Sequence, residues 1–193
     1  MAKTSATIIA RGTSNAAFTQ LTGCSVTRSG TTATLTKSSH GLNNGDKVLI
    51  QGFLPEEFNG VFTVGNVASG TFDYTIKQDP GANPSGTTGT VDKVTMGTVL
   101  DLSSSYMAQI TGQIQNGNTG PTVAAQIWIG EAQVTTPGEP DYIWRLLLEG
   151  STSNNGYTPF SFSTGPATRA VNLACARNTG QAVDVMALAT HLS

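Results

Sequence analysis

Charged side chains make up only 11% of these 193 residues, 10 Lys and Arg against 12 Asp and Glu. The basic residues are scattered from Lys3 to Arg177 without a run. Nothing therefore neutralises a phosphate backbone, which argues against nucleic acid as a partner, and an anionic membrane surface meets no basic patch. No apolar stretch approaches the roughly 18 residues of a membrane span. The opening MAKTSATIIARG has too short an apolar core for a secretory signal, so folding in a cytoplasm is expected. Histidine occurs twice, as His40 and His191, with no second His, Cys or carboxylate at ligand spacing, so no metal or other cofactor is expected. Cysteine also occurs twice. Cys24 and Cys175 lie far apart, and Cys175 is in phase with Val171 and Leu173, which favours two free, buried thiols over a disulfide.

Helical periodicity is scarce as well, and what replaces it is a β texture. Glycine occurs 22 times, threonine sits in most apolar runs, and turn dipeptides recur about every ten residues, the spacing of a sandwich or barrel. In YMAQITGQI the alternation puts Tyr106, Ala108, Ile110, Gly112 and Ile114 on one face. In YIWRLLLEG it puts Tyr142, Trp144, Leu146 and Leu148 against Arg145 and Glu149. Leu and Arg would also suit a short helix there, but Asp141 and Gly150 bound too few residues, and length favours a strand. SATIIA, MGTVLDL, TVAAQIWIG, TPFSFST, TRAVNLACA and AVDVMALAT are the remaining strands of this set.

A second set runs from CSVTRSG through TTATLTK, DKVLIQGF, GVFTVGNV and TFDYTIK to GTVDK. Its strands are short and its turns are Ser-Gly, Asn-Asn-Gly and Asn-Gly, residues that accept positive φ and fix a meander or small barrel. DPGANPSGTTG, residues 79–89, reads as an exposed loop before the last strand. Gly45 in NNGDK and Gly60 in FNGVF are the expected turn-defining residues here, and Gly120 and Gly180 play that part further on.

Within this set, HGLNNGDKVLIQGF, FNGVFTV, GTFDYTI and TTGTV resemble a small β-module that recurs in tailed-bacteriophage structural proteins. Its pattern is matched at His40, Gly41, Leu42, Gly45, Asp46, Val48, Ile50, Gly52, Asn59, Gly60, Phe62, Thr63, Val64, Thr71, Phe72 and Tyr74. The flanks, with TGPT at Thr119 to Thr122 and NTGQAV at Asn178 to Val183 as hairpin signatures, are similar to small phage virion proteins that carry the two pieces contiguously. The resemblance implies a module, residues 23–93, inserted into a sandwich made of residues 1–22 and 94–193, whose ends must then lie close together. A plain two-domain chain is the alternative. Insertion is favoured because TSATIIA alternates like a strand and finds no partner inside the small module.

Catalytic machinery is hard to assemble from what remains. The chain has no Gly-x-Ser-x-Gly elbow, neither Cys has a local base, and no Gly-rich phosphate loop opens a helix. Glu56 and Glu57 are adjacent loop carboxylates that point apart in most loops, so a solvated loop tip is favoured over an acid/base pair. Trp144 alternates with Leu146 and Leu148 and reads as core, whereas Trp128 is out of phase with Ile127 and Ile129 and reads as an outward contact residue. The expected fold is all-β, an antiparallel, jelly-roll-like sandwich with an inserted small barrel or meander. The expected function is a non-enzymatic virion structural protein that decorates the capsid as a homo-oligomer, a trimer foremost, in contact with the major capsid protein. A tail or collar component bound to tail proteins and a sugar-binding module for the host surface are the alternatives.

Overall fold

The computed structural model describes residues 3–84, 88–133 and 142–192. Asp141, and residues 85–87 of the Pro-rich loop, lie outside them. The chain separates into two compact units, Met1–Phe18 with Thr95–Ser193, and Thr19–Val94. Both are all-β, and no helix of the described residues is long and apolar enough to cross a membrane.

The larger unit is an antiparallel sandwich. Its first sheet has the order β1 (Lys3–Asn15), β14 (Val183–Leu192), β9 (Met107–Asn116), β12 (Tyr157–Ser163). The second contains β11 (Ile143–Glu149), β10 (Gln126–Ala132) and β13 (Ala170–Ala176), with the short β8 (Leu100–Asp101) paired to β13. Alternation decides what lies between them. Ala108, Ile110 and Ile114 of β9 and Val183, Val185, Ala187 and Ala189 of β14 meet Ile127 and Ile129 of β10 and Val171, Leu173 and Cys175 of β13 in one buried cluster. Full burial of each Ile or Leu there contributes about 1.5–3 kcal/mol.

Two β-bulges change the phase of this pattern. In β1, Thr7 opposes Leu188 but Ile9 opposes Ala187, so Ile8 is an extra residue and both isoleucines turn into the core. In β11, Leu148 opposes Ile127 while Leu146 opposes Trp128, which makes Leu147 the extra residue. Leu147 and Leu148 both pack on the core, and Leu146 is left 43% exposed. The expected single face of Tyr142, Trp144, Leu146 and Leu148 is thereby broken, and Trp144 is not a core residue. Tyr106 also leaves its expected face, because β9 begins one residue later and the ring is 64% exposed.

The smaller unit is a closed barrel. β2 (Leu21–Ser29) pairs with β3 (Thr32–Thr36), and β3 with β6 (Thr71–Thr75). On the other side, β2 pairs with β7 (Gly89–Met96), β7 with β4 (Lys47–Gln51), and β4 with β5 (Gly60–Thr63). Closure comes from Gly65 and Asp73, which exchange two backbone hydrogen bonds of 2.8 Å and so join the end of β5 to β6. This exchange brings the two ends of the strand order together, which shortens the open edge available for pairing with another chain. Leu35, Leu49, Ile50, Phe53, Phe58, Phe72 and Ile76 are among its fully buried side chains.

Candidate functional site

The face of β10, β11 and β13 that points away from the core is built from small residues and aromatic rings. Ala174 lies opposite Trp128 in register, and Asn172 opposite Gly130. Gly130 in turn faces Trp144, whose ring a Cβ on Gly130 would meet at 2.9 Å. Tyr142 packs against Trp144 with the two rings tilted by 52° and their centroids 5.5 Å apart. Trp128 is half-buried here, with Nε1 donating to Gln126 Oε1 at 3.0 Å, while Gln126 Nε2 donates to Glu149 Oε1. The bulge at Leu147 is what brings Trp144 and Leu146 to this side, beside Trp128. Trp128 alternates with the core residues Ile127 and Ile129, and its aromatic neighbours have no sequence signal, since an extra residue in β11 is visible only once its register with β10 is known.

Gly45 has φ of 89°, and Gly180 one of 88° with Thr122 Oγ1 3.0 Å from where a Cβ would stand. Gly60, at the start of β5, has φ of 137°. Gly120 is different. Its φ is ordinary, and glycine is needed because a Cβ would lie 1.9 Å from the Thr152 carbonyl oxygen. The two flank motifs meet. Thr122 donates through its backbone N–H at 2.7 Å and its Oγ1 at 2.9 Å to the Thr179 carbonyl, which ties TGPT to NTGQAV. Asn178, fully buried, donates to the carbonyls of Asn15 and Gln181 and accepts from the Asn15 side chain.

The module motif is spent on the barrel. His40 Nδ1 accepts from the Leu42 N–H at 3.1 Å, which leaves the proton on Nε2 for donation to the Ala68 carbonyl at 2.8 Å. Asp46 accepts from the Asn43 N–H at 2.9 Å and pairs with Lys93 at 2.9 Å. Asn59 closes the loop before β5 by accepting from the Phe53 N–H and donating to the Phe53 carbonyl. Glu56 and Glu57 open a short 3-10 turn, where Glu56 accepts from the Asn59 side chain. His40→Gln is expected to lower the barrel's stability by about 1–2 kcal/mol through one mismatched buried hydrogen bond. Chemical denaturation of the variant beside the unmodified chain checks this, and an unchanged midpoint would refute it.

Both cysteines are free and buried. Burial pushes the Cys175 thiol up to about 12, and it raises Cys24 as well, against a smaller opposing pull from Lys37. Neither is a nucleophile at neutral pH, because the thiolate is the reactive form. Among the described residues no group of three or more His, Cys, Asp or Glu could hold a metal ion.

No protein-family model matches the chain, and no curated protein sequence resembles it. Among solved structures it is similar to the K1 cleaved adhesin domain of Lys-gingipain from Porphyromonas gingivalis W83, at 13% identity over 91% of this chain and 99% of that one, with a TM-score of 0.35. VP2 in the infectious bursal disease virus subviral particle is 14% identical over 89% of this chain and 57% of that one, with a TM-score of 0.34. A carbohydrate-binding module of the β-sandwich superfamily is 10% identical over 90% and 95%, with a TM-score of 0.28. TM-scores this low do not establish a common fold, and nothing about function follows from them.

Proposed function

We propose that this chain is a non-enzymatic structural protein of a tailed-bacteriophage particle, bound to the outside of the capsid as a homotrimer. The observation that carries the reading is how the residues shared with the phage module are used. His40, Gly45, Asp46 and Asn59 close turns, and Leu42, Val48, Ile50, Phe72 and Tyr74 fill the barrel, so these shared residues serve the fold, which supports a structural role. The larger unit contributes a contact surface rather than a reactive one, with half-buried Trp128 beside Trp144 and Leu146. Aromatic residues of this kind concentrate at the centres of protein interfaces.

Such an interface holds in salt. At 1 M ionic strength the Debye length shrinks to about 3 Å, which silences exposed ion pairs but leaves apolar contact in place. Particles washed in about 1 M NaCl are expected to retain the protein, and Trp128→Ala is expected to reduce its occupancy about thirtyfold, the equivalent of roughly 2 kcal/mol at an interface centre. Quantitative mass spectrometry of gradient-purified particles measures occupancy, and circular dichroism controls for folding. Absence of the unmodified protein from the particle would remove the proposal, and salt-sensitive attachment would move the contact away from this face.

A further inference from the structure

On the outer face of the first sheet, β1 departs from regular pairing a second time. Ile9 opposes Ala187 and Thr13 opposes Val185, so Ala10, Arg11 and Gly12 together face Met186 alone. Gly12, at φ of 77°, lets the strand loop outward. A depression of about 190 Å³ results, lined by Arg11, Gly12, Gln113, Gln115, Asp184 and Met186. Gln115 is directly opposite Asp184, and Gln113 opposite Met186, so the floor is a two-by-two patch of cross-strand neighbours with Arg11 at its rim.

The polar groups that line it face solvent and keep their hydrogen-bonding capacity for a ligand. Among the described residues no ion pair joins Arg11 to Asp184 or to any other residue, and neither Gln113 nor Gln115 has a side-chain hydrogen bond. Gln109, on the same face of the same strand, shows what an ordinary surface glutamine does here: it bridges Ser161 and Ser163 across to β12. The wall thus offers the donors of one guanidinium, the acceptors of one carboxylate, and two amides that do both.

We infer that this depression is a binding site for a neutral polyhydroxylated ligand, a single sugar ring. The charges of Arg11 and Asp184 cancel, so an anion meets the carboxylate and a cation meets the guanidinium. An apolar ligand would strand four polar side chains without partners, at a cost for each. Vicinal hydroxyls donate and accept at once, which satisfies carboxylate, amide and guanidinium together, and the Met186 side chain gives the ring's C–H face something to rest on. The volume suits one ring, below the several hundred Å³ of sites for larger ligands. This site is independent of the aromatic face and of any role in a particle.

The test uses the full chain, labelled with 15N, and titrates it separately with glucose, galactose, N-acetylglucosamine and rhamnose, with sulfate and spermidine as charged controls. At least one sugar is expected to give saturable amide shifts confined to residues 10–13, 113–115 and 184–186, with a dissociation constant in the millimolar range and about a tenfold loss of affinity in Gln115→Leu. Gln115 is exposed, so that variant keeps its fold. The inference is overturned if none of the four sugars shifts these amides, if Gln115→Leu binds as well as the unmodified chain, or if a charged control alone produces the shifts.

Discussion

Replacing Gly120 with Ala is expected to lower the melting temperature of the larger unit by roughly 10 °C, the equivalent of about 3 kcal/mol in a chain of this size. The reason is distance. A Cβ at this position would stand 1.9 Å from the Thr152 carbonyl oxygen, 2.7 Å from the Thr152 carbonyl carbon and 2.8 Å from that of Ser153, all of them backbone atoms. Backbone yields far less readily than the end of a flexible side chain. The loop it would have to push is held from several directions. Asn116 Nδ2 donates to the carbonyls of Ser151 at 2.7 Å and Ser153 at 2.9 Å, Asn155 N–H donates to Gly117 at 2.7 Å, and Gly120 N–H donates to Asn154 Oδ1 at 2.9 Å. Relief of the clash therefore breaks part of this network. Gly117→Ala supplies the control, since the same loop leaves nothing within 4 Å of a Cβ there, and its cost should stay below about 1 kcal/mol. Calorimetry on the two variants decides the matter: equal melting temperatures would mean that the approach to Thr152 carries no energy. Gly45, by contrast, is held by φ of 89° in open space, so its Ala variant loses about 1 kcal/mol through backbone strain alone.

Gly120 also marks the limit of what could be read from the chain. TGPT declares a turn, and glycine is the ordinary residue for one, but the distance to Thr152 depends on how two loops far apart in sequence are brought together. The strands themselves were legible. Short apolar runs in DKVLIQGF, TFDYTIK and AVDVMALAT, with turn residues between, located β4, β6 and β14, because strand composition and turn chemistry are local. What escaped was non-local. The extra residue at Leu147 reverses the faces of Trp144 and Leu146, and it exists only in the register with β10. The loop of Ala10 to Gly12 likewise exists only against Met186 of β14, so the depression around Arg11 has no sequence signal beyond a lone Arg-Gly. Barrel closure rests on a single exchange of bonds between Gly65 and Asp73, which no periodicity announces.

Removing Thr19 to Val94 and joining Phe18 to Thr95 through a short Gly-Ser linker is expected to leave a sandwich that still folds, whereas removing residues 1–18 is expected to unfold it. The cluster that holds the sandwich together draws Ile8 and Ile9 from β1 and all its other fully buried members from Leu100 onward. The excision therefore takes no side chain from that core. Deleting β1 takes two isoleucines, worth about 2–5 kcal/mol each when a cavity is left behind, and strips β14 of a partner along the register from Lys3–Leu192 to Asn15–Val183. It also removes Asn15 and Phe18, which takes from buried Asn178 both Asn15 partners of its side chain and the Phe18 N–H that its backbone carbonyl accepts from, leaving the bond to the Gln181 carbonyl. Losses of that combined size are comparable to the whole stability of an ordinary domain. Thermal unfolding of the two truncated chains beside the full one separates the possibilities. A cooperative sandwich transition in the excised chain, and its loss from the chain lacking residues 1–18, which can keep only the barrel's own transition, is what an inserted barrel demands. The opposite pattern would mean that β1 is dispensable and that the barrel is an ordinary neighbouring domain on which the sandwich depends to fold.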